Sequence, residues 1–197
     1  MIKAIIFDIG GVLFNESISL QYEEIAKRFN INPKLFIAAK DKHMNRAKIG
    51  EITEDEFIKR IADELSINKN MLARYWKEIY MQKTINNDIV MLIKRLKQMK
   101  YSLIVLSNAN PVHAEINYKR GLYSIFDKVY LSNEIKMAKP DKKIYDYVLK
   151  KSKLKPEECI FIDDREENVL VANELGIKGI VFTGYKELIY ELNKYLL

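Results

Sequence analysis

At 197 residues the chain has room for one domain, or for one domain with a modest insertion, and 48% hydrophobic with 30% charged content excludes a disordered or fibrous chain. The net charge of +6 is spread along predicted helices and interleaved with acids. Its only clusters are short (Lys94-Arg95 with Lys97, Lys150-Lys151 with Lys153), so a nucleic-acid partner is not expected and a mild attraction for anionic metabolites is.

The elements follow in chain order. An apolar run from Lys3 to Phe7 predicts a first strand ending at Asp8. Residues 15 to about 84 carry no strand signal and read as four helices: Ser19 to Phe29, Pro33 to Lys48, Glu54 to Ser66 and Lys69 to Met81. The third has a clear start, Thr53 followed by Glu56 at capping-box spacing, and Phe57, Ile58, Ile61 and Leu65 fall on one face. After this block helices and strands alternate. A helix from Asp88 to Lys100 precedes a strand from Ser102 to Leu106, and a helix from Val112 to Lys119, ending at Gly121, precedes a short strand from Lys128 to Leu131. A helix from Lys142 to Lys151 leads to a strand from Cys159 to Ile162. A helix from Glu166 to Leu175, stopped by Gly176, leads to a strand from Gly179 to Phe182, and a helix from Lys186 to Leu196 closes the chain. Such alternation predicts a parallel sheet covered by helices on both faces. The expected architecture is a Rossmann-like three-layer α/β/α core over residues 1–14 and 85–197, with a helical cap inserted at 15–84. No apolar run reaches membrane-spanning length, and Met1 leads directly into the first strand without a signal peptide. The one cysteine, Cys159, has no disulfide partner. Those features predict a cytoplasmic protein with no membrane contact.

Three buried strands end abruptly in polar residues: Asp8 after the first, Ser107-Asn108 after the second, Asp163-Asp164 after the fourth. Ligands bind at the carboxyl ends of strands in open α/β sheets, so these side chains are expected to converge on one crevice together with Lys139 of Lys139-Pro140. Two adjacent acids repel one another unless a cation lies between them, which makes Asp163-Asp164 the strongest single signal of a metal site.

In order and spacing, Ile6-Phe7-Asp8-Ile9-Gly10-Gly11, Leu106-Ser107-Asn108, Met137-Ala138-Lys139-Pro140 and Phe161-Ile162-Asp163-Asp164 followed by Asn168 resemble the four signature motifs of the haloacid dehalogenase-like hydrolase superfamily. The stretch from Leu106 to Gly184 is most similar to the sugar-phosphate phosphatases of the group that includes alpha-glucose-1-phosphatase. The resemblance implies a hydrolase with Asp8 as nucleophile, forming an aspartyl-phosphate that water then hydrolyses. It implies Mg²⁺ as cofactor, held by Asp8, the carbonyl of Gly10, Asp164 and, as a further ligand or through a water, Asp163, with Asn168 orienting the acids. Ser107, the backbone N–H of Asn108 and Lys139 would donate to the phosphoryl oxygens. The implied partner is a small phosphorylated metabolite, with Lys48 or Arg46 of the inserted block within reach of it; nothing in the sequence distinguishes a monomer from a dimer.

One position departs from the pattern. Most phosphatases of the superfamily carry a second Asp two residues after the nucleophile, as general acid and base; here that residue is Gly10. Three explanations follow. The leaving group departs without a proton, as from a sugar 1-phosphate; another group such as His113 or Glu16 supplies it; or the protein is a weak phosphatase or a phosphometabolite-binding module. The 2-haloacid dehalogenases also lack the second Asp, which makes that activity the alternative enzyme, but they do not keep the metal-binding acid pair that Asp163-Asp164 forms here.

Overall fold

The computed structural model describes residues 1–15 and 18–196. In chain order it contains β1 (Ala4–Phe7), α1 (Ile18–Arg28), α2 (Pro33–Lys48), α3 (Glu54–Leu65), α4 (Lys69–Met81), α5 (Asn87–Gln98), β2 (Ser102–Ser107), α6 (Pro111–Lys119), β3 (Lys128–Leu131), α7 (Ser132–Ile135), α8 (Lys142–Ser152), β4 (Cys159–Asp163), α9 (Glu166–Glu174), β5 (Lys178–Val181) and α10 (Tyr185–Leu196), with two short 3-10 turns. The five strands are parallel, in the order β3-β2-β1-β4-β5. Alternate strand residues face opposite sides, as the pleat requires. Ile5, Phe7, Leu103, Val105, Ile160 and Ile162 pack against Ile89, Leu92 and Ile93 of α5 and Leu188 of α10. Ala4, Ile6, Ile104, Leu106 and Phe161 pack against Ile144, Tyr145 and Val148 of α8 and Val169 of α9. This is the expected three-layer α/β/α core.

Helices α1–α4 have a separate apolar cluster built on Ile25, Phe36, Phe57, Ile61, Leu72 and Trp76. Thr53 caps α3 through its hydroxyl, which accepts from the Glu56 N–H at 3.2 Å, as the spacing predicts. The chain leaves the sheet and returns to it side by side: the Asn86 N–H donates to the Leu13 carbonyl (2.9 Å), the Asn15 N–H to the Thr84 carbonyl (3.1 Å), and Phe14 bridges Ile85. No helix of the described residues is long and apolar enough to cross a membrane.

The differences from expectation are local. β2 and β4 each run one residue further, through Ser107 and Asp163, because Ser107 still pairs with Leu131 and Asp163 with Val181. A polar side chain ends the apolar run without ending the backbone ladder. Helix α7 was not foreseen: four residues are too few to show a periodicity.

Candidate active site

In the sheet Phe7 lies level with Val105 on one side and Ile162 on the other, so β1, β2 and β4 deliver their next residues to one edge. The order of the strands reverses direction around β1, and this edge is therefore a topological switch point. Lys139, on the loop between α7 and α8, fills the space between two of those strand ends. Its ammonium donates to Asp8 Oδ1 at 2.8 Å and to Asp163 Oδ2 at 2.5 Å, and its side chain is 1% exposed. The Asp163 carboxylate also accepts from Asn168 Nδ2 at 2.9 and 3.0 Å and from the Arg165 N–H at 2.9 Å. Asn108 fixes the lysine's own backbone: its Nδ2 donates to the Lys139 carbonyl (2.8 Å) and its Oδ1 accepts from the Lys139 N–H (2.9 Å). The Tyr145 hydroxyl, donating to the Asn168 carbonyl at 2.9 Å, braces the far side.

Burial raises the pKa of Asp8, and Asp163 adds to the rise, against the pull of Lys139 in the other direction. Burial works to deprotonate Lys139, but the carboxylates of Asp8 and Asp163 outweigh it and hold its pKa above the ordinary lysine range. Asp164 faces the cavity with part of its surface open. Enclosure by the walls, then the charges of Asp8 and Asp163, push its carboxyl up to about 6.

Asp8, Asp163 and Asp164 each offer an oxygen within 4.8 Å of the others, a hard-donor set that suits a cation such as Mg²⁺. Gly11, at φ +72°, makes room for the Asp164 side chain: a Cβ there would overlap its carboxylate. Because Asp163 is already committed to Lys139 and Asn168, the freer donors are Asp8, Asp164 and the Gly10 carbonyl. Gly10 itself has no positive φ, and a Cβ would meet nothing nearer than Asp8 Oδ2 at 3.7 Å. The missing second acid is thus a chemical choice of this sequence, since a side chain would fit.

Above these residues lies a cavity of about 500 Å³. Its floor is Asp8, Gly10, Ser107, Asn108, Lys139 and Asp164, and α1 and α2 supply the opposite wall with Tyr22, Lys40, Met44 and Lys48.

Residues 2–176 match the family model of the haloacid dehalogenase-like hydrolases. The chain belongs to that family. Among curated relatives of this hydrolase, D-ribitol-5-phosphate phosphatase of Bacteroides thetaiotaomicron is 27% identical over 200 residues, covering 90% of each chain. Glyceraldehyde 3-phosphate phosphatase of Methanocaldococcus jannaschii is also 27% identical, covering 90% of this chain and 83% of its own. A haloacid dehalogenase family enzyme of B. thetaiotaomicron, solved with magnesium and inorganic phosphate, superposes with a TM-score of 0.74 at 30% identity over 92% of this chain and 94% of that one.

Of the residues singled out from the sequence of this haloacid dehalogenase-like hydrolase, Asp8, Gly10, Ser107, Asn108, Lys139, Asp164, Asn168 and Lys48 line the one cavity. Asp163 lies beneath it, 0% exposed. Arg46 turns aside to pair with Glu51 (3.2 Å), and His43 meets Glu64 (3.2 Å). His113 does not fit the part of proton donor. Its ring is buried, stacked on Tyr80 at 3.6 Å with Nδ1 against Asn110, and burial, reinforced by Lys83, pulls its pKa down to about 3, so it is neutral at working pH. Glu16 lies outside the described residues. Sequence reasoning missed Tyr22, Lys40 and Arg165 in the lining, although Lys40, Met44 and Lys48 recur one turn apart and mark a single helix face. It also missed Ser132, whose hydroxyl joins two regions by donating to the Lys48 carbonyl (2.7 Å) and accepting from the Ala109 N–H (3.0 Å).

Proposed function

We propose that this hydrolase is a magnesium-dependent phosphatase of a small phosphorylated metabolite, a sugar phosphate by class, working through an aspartyl-phosphate on Asp8. The observation that carries this reading is the Asp8–Lys139–Asp163 arrangement at the cavity floor, with Asp164 beside it. Lys139 fixes one oxygen of Asp8, so the carboxylate is oriented before substrate arrives. Its second oxygen attacks phosphorus, the bond to the leaving oxygen breaks, and water later cleaves the acyl phosphate and restores Asp8. Ser107 and the Asn108 N–H, at the end of β2, donate to the phosphoryl oxygens, as does Lys139, and these donors are aimed where charge builds. Asp163 and Asn168 act as positioning residues, holding Lys139 in register. Asp8, Asp164 and the Gly10 carbonyl would hold magnesium, which when bound would supply charge neutralisation between the nucleophile and the phosphoryl group.

Two further features support the reading. The named relatives act on phosphate esters of small polyols and sugars, and the helical unit α1–α4 roofs the cavity as a cap that restricts entry to small molecules. With Gly10 in place of an acid and His113 neutral, no protein proton donor is assigned, and substrates with a good leaving group, such as sugar 1-phosphates or acyl phosphates, are expected to react fastest. The test is phosphate release from a panel of sugar 1- and 6-phosphates, nucleotides and acetyl phosphate, with Mg²⁺ and with chelator. Release that needs Mg²⁺ and falls at least ~10³-fold in Asp8→Asn is the expected result. Turnover unaffected by chelator or by Asp8→Asn overturns the mechanism, and halide release from 2-chloropropionate without Mg²⁺ assigns the protein to dehalogenation instead.

A further inference from the structure

Away from the floor the cavity is lined by three cations, Lys40, Lys48 and Arg165, against one lining carboxylate, Asp41, with Glu167 outside the lining as the partner of Arg165. Lys40 is the buried one, its ammonium 4.1 Å above the Tyr22 ring and 2.6 Å from Asp41. Arg165 reaches the wall from the core side, half exposed, and pairs with Glu167 at 2.5 Å. Lys48 is different. Among the described residues no carboxylate lies within ion-pair distance of its ammonium, although it is only partly exposed. Burial, then the neighbouring Arg165 and Lys40, depress its pKa despite opposition from Asp41 and Glu167.

The backbone that presents Lys48 is held in place. Its carbonyl accepts from Ser132 Oγ, and two residues on the Gly50 carbonyl accepts from Lys136 Nζ at 3.1 Å. Gly50 sits at φ +62°, where a Cβ would meet the Asn133 carbonyl at 2.8 Å. A partly buried ammonium with no carboxylate within ion-pair distance is costly unless something brings one. The donors at the floor are sufficient for the phosphoryl group that Asp8 attacks, so the charge on the wall is surplus to that step.

We propose that the substrate carries a second anionic group, a carboxylate or a second phosphate, at the end remote from the phosphoryl group attacked, and that Lys48 receives it with Lys40 and Arg165 alongside. This rests on the phosphatase reading. It narrows the substrate class from sugar phosphates in general to those with an acidic tail, within a cavity sized for a chain of a few carbons.

Three matched three-carbon probes test it: glycerol 3-phosphate with a neutral tail, 3-phosphoglycerate with a carboxylate, and 1,3-propanediol bisphosphate with a second phosphate. The measured quantity is the ratio of kcat/KM for each charged probe to that for glycerol 3-phosphate, which does not depend on how much of a preparation is folded. The expected ratio is about 10 to 100 in the wild type, carried mainly by KM, because charge-assisted hydrogen bonds are the stronger kind. It should fall near 1 in Lys48→Met and below 1 in Lys48→Glu, and the larger of the two wild-type ratios identifies the anion. A wild-type ratio near 1, or one unchanged in Lys48→Glu, overturns the inference and leaves the phosphatase reading standing. If none of the probes releases phosphate with Mg²⁺ while acetyl phosphate is also inert, the phosphatase reading fails. The tail is then decided by thermal shift: stabilisation by 3-phosphoglycerate that Lys48→Glu abolishes supports it, and equal stabilisation in both proteins overturns it.

Discussion

Asp8 and Lys48 face the same cavity from opposite sides, and the protein holds them in opposite ways. At the floor the buried charges are paired, and only the part-open Asp164 lacks an ion-pair partner among the described residues: Asp8 and Asp163 share Lys139, Asn168 holds Asp163, and Asn108 holds the backbone of Lys139. The side chains of Lys139 and Asp163 are almost wholly removed from solvent. On the wall Lys40 and Arg165 pair with exposed carboxylates, Asp41 and Glu167, and Lys48 has no ion-pair partner among the described residues. Buried, fully paired charges make a rigid site, since loss of one member leaves another uncompensated. Lightly tethered charges on a separate helical unit can be exchanged at little cost to the fold. On the proposed function, the contrast puts reaction chemistry at the sheet edge and substrate choice on the helical unit α1–α4.

The sharpest way to break this contrast is to remove the central cation. Lys139→Ala leaves two buried carboxylates unpaired and is expected to cost about 3–5 kcal/mol in urea unfolding at neutral pH, together with activity, whereas the wall change Lys48→Met, at a partly exposed lysine with no ion pair to lose, should stay within about 0.5 kcal/mol. Comparable losses in the two variants would erase the distinction between floor and wall.

A second prediction concerns what the floor lacks. Because a side chain fits at Gly10, Gly10→Asp should fold normally and raise kcat on esters with poor leaving groups, by up to roughly 10²–10⁴-fold, the usual yield of general acid–base help. Little gain is expected on acetyl phosphate, which needs no proton to depart. An equal gain on both would show that protonation is not what Gly10 forgoes.

The third sharpens the electrostatics. In the metal-free protein Asp164 titrates near 6, above its ordinary 3.8, so it favours the folded state below about pH 4 and that contribution disappears as pH rises through 6. On the proposed function, magnesium would compete with the proton for this carboxylate. Its stabilisation, read as a shift in Tm, should be large at pH 7.5 and small at pH 5; an identical shift at both would remove Asp164 from the ligand set. The smallest effect is expected at the seam between the two regions. Ser132→Ala leaves the Ala109 N–H and the Lys48 carbonyl without their shared partner and should cost about 1–3 kcal/mol, measurable by unfolding.

The core was readable from sequence because its strands are buried on both faces and therefore appear as unbroken apolar runs. The floor was readable for a related reason: Asp8, Ser107-Asn108 and Asp163-Asp164 are polar residues placed where those runs stop. The wall was not. Lys40 and Lys48 lie on a helix rich in charges, and lysines eight residues apart there look the same whether they face solvent or a cavity. Only the packing of α2 over the sheet edge distinguishes the two. Ser132 was invisible for another reason. One hydroxyl bonding to chain segments 23 and 84 residues away leaves no periodic trace in sequence. Asp163 illustrates the limit from the other side: its position in a motif was legible, but its engagement with Lys139 and Asn168 depends on where a loop 24 residues earlier comes to rest.

Trp76 gives the molecule an unplanned convenience. It is the chain's one tryptophan, wholly enclosed in α4, with Tyr22 of the cavity wall 5.4 Å from its ring and His113 of the core helix α6 at 6.0 Å. The indole thus straddles the seam between the two regions and also touches the lining of the pocket. Because the imidazole beside it stays uncharged above about pH 3, its quenching is constant over any useful buffer range. Excited at the red edge of its absorption, where the twelve tyrosines do not contribute, the indole of the unlabelled protein reports on its own contacts with Tyr22 and His113, from a single emitter whose location is known.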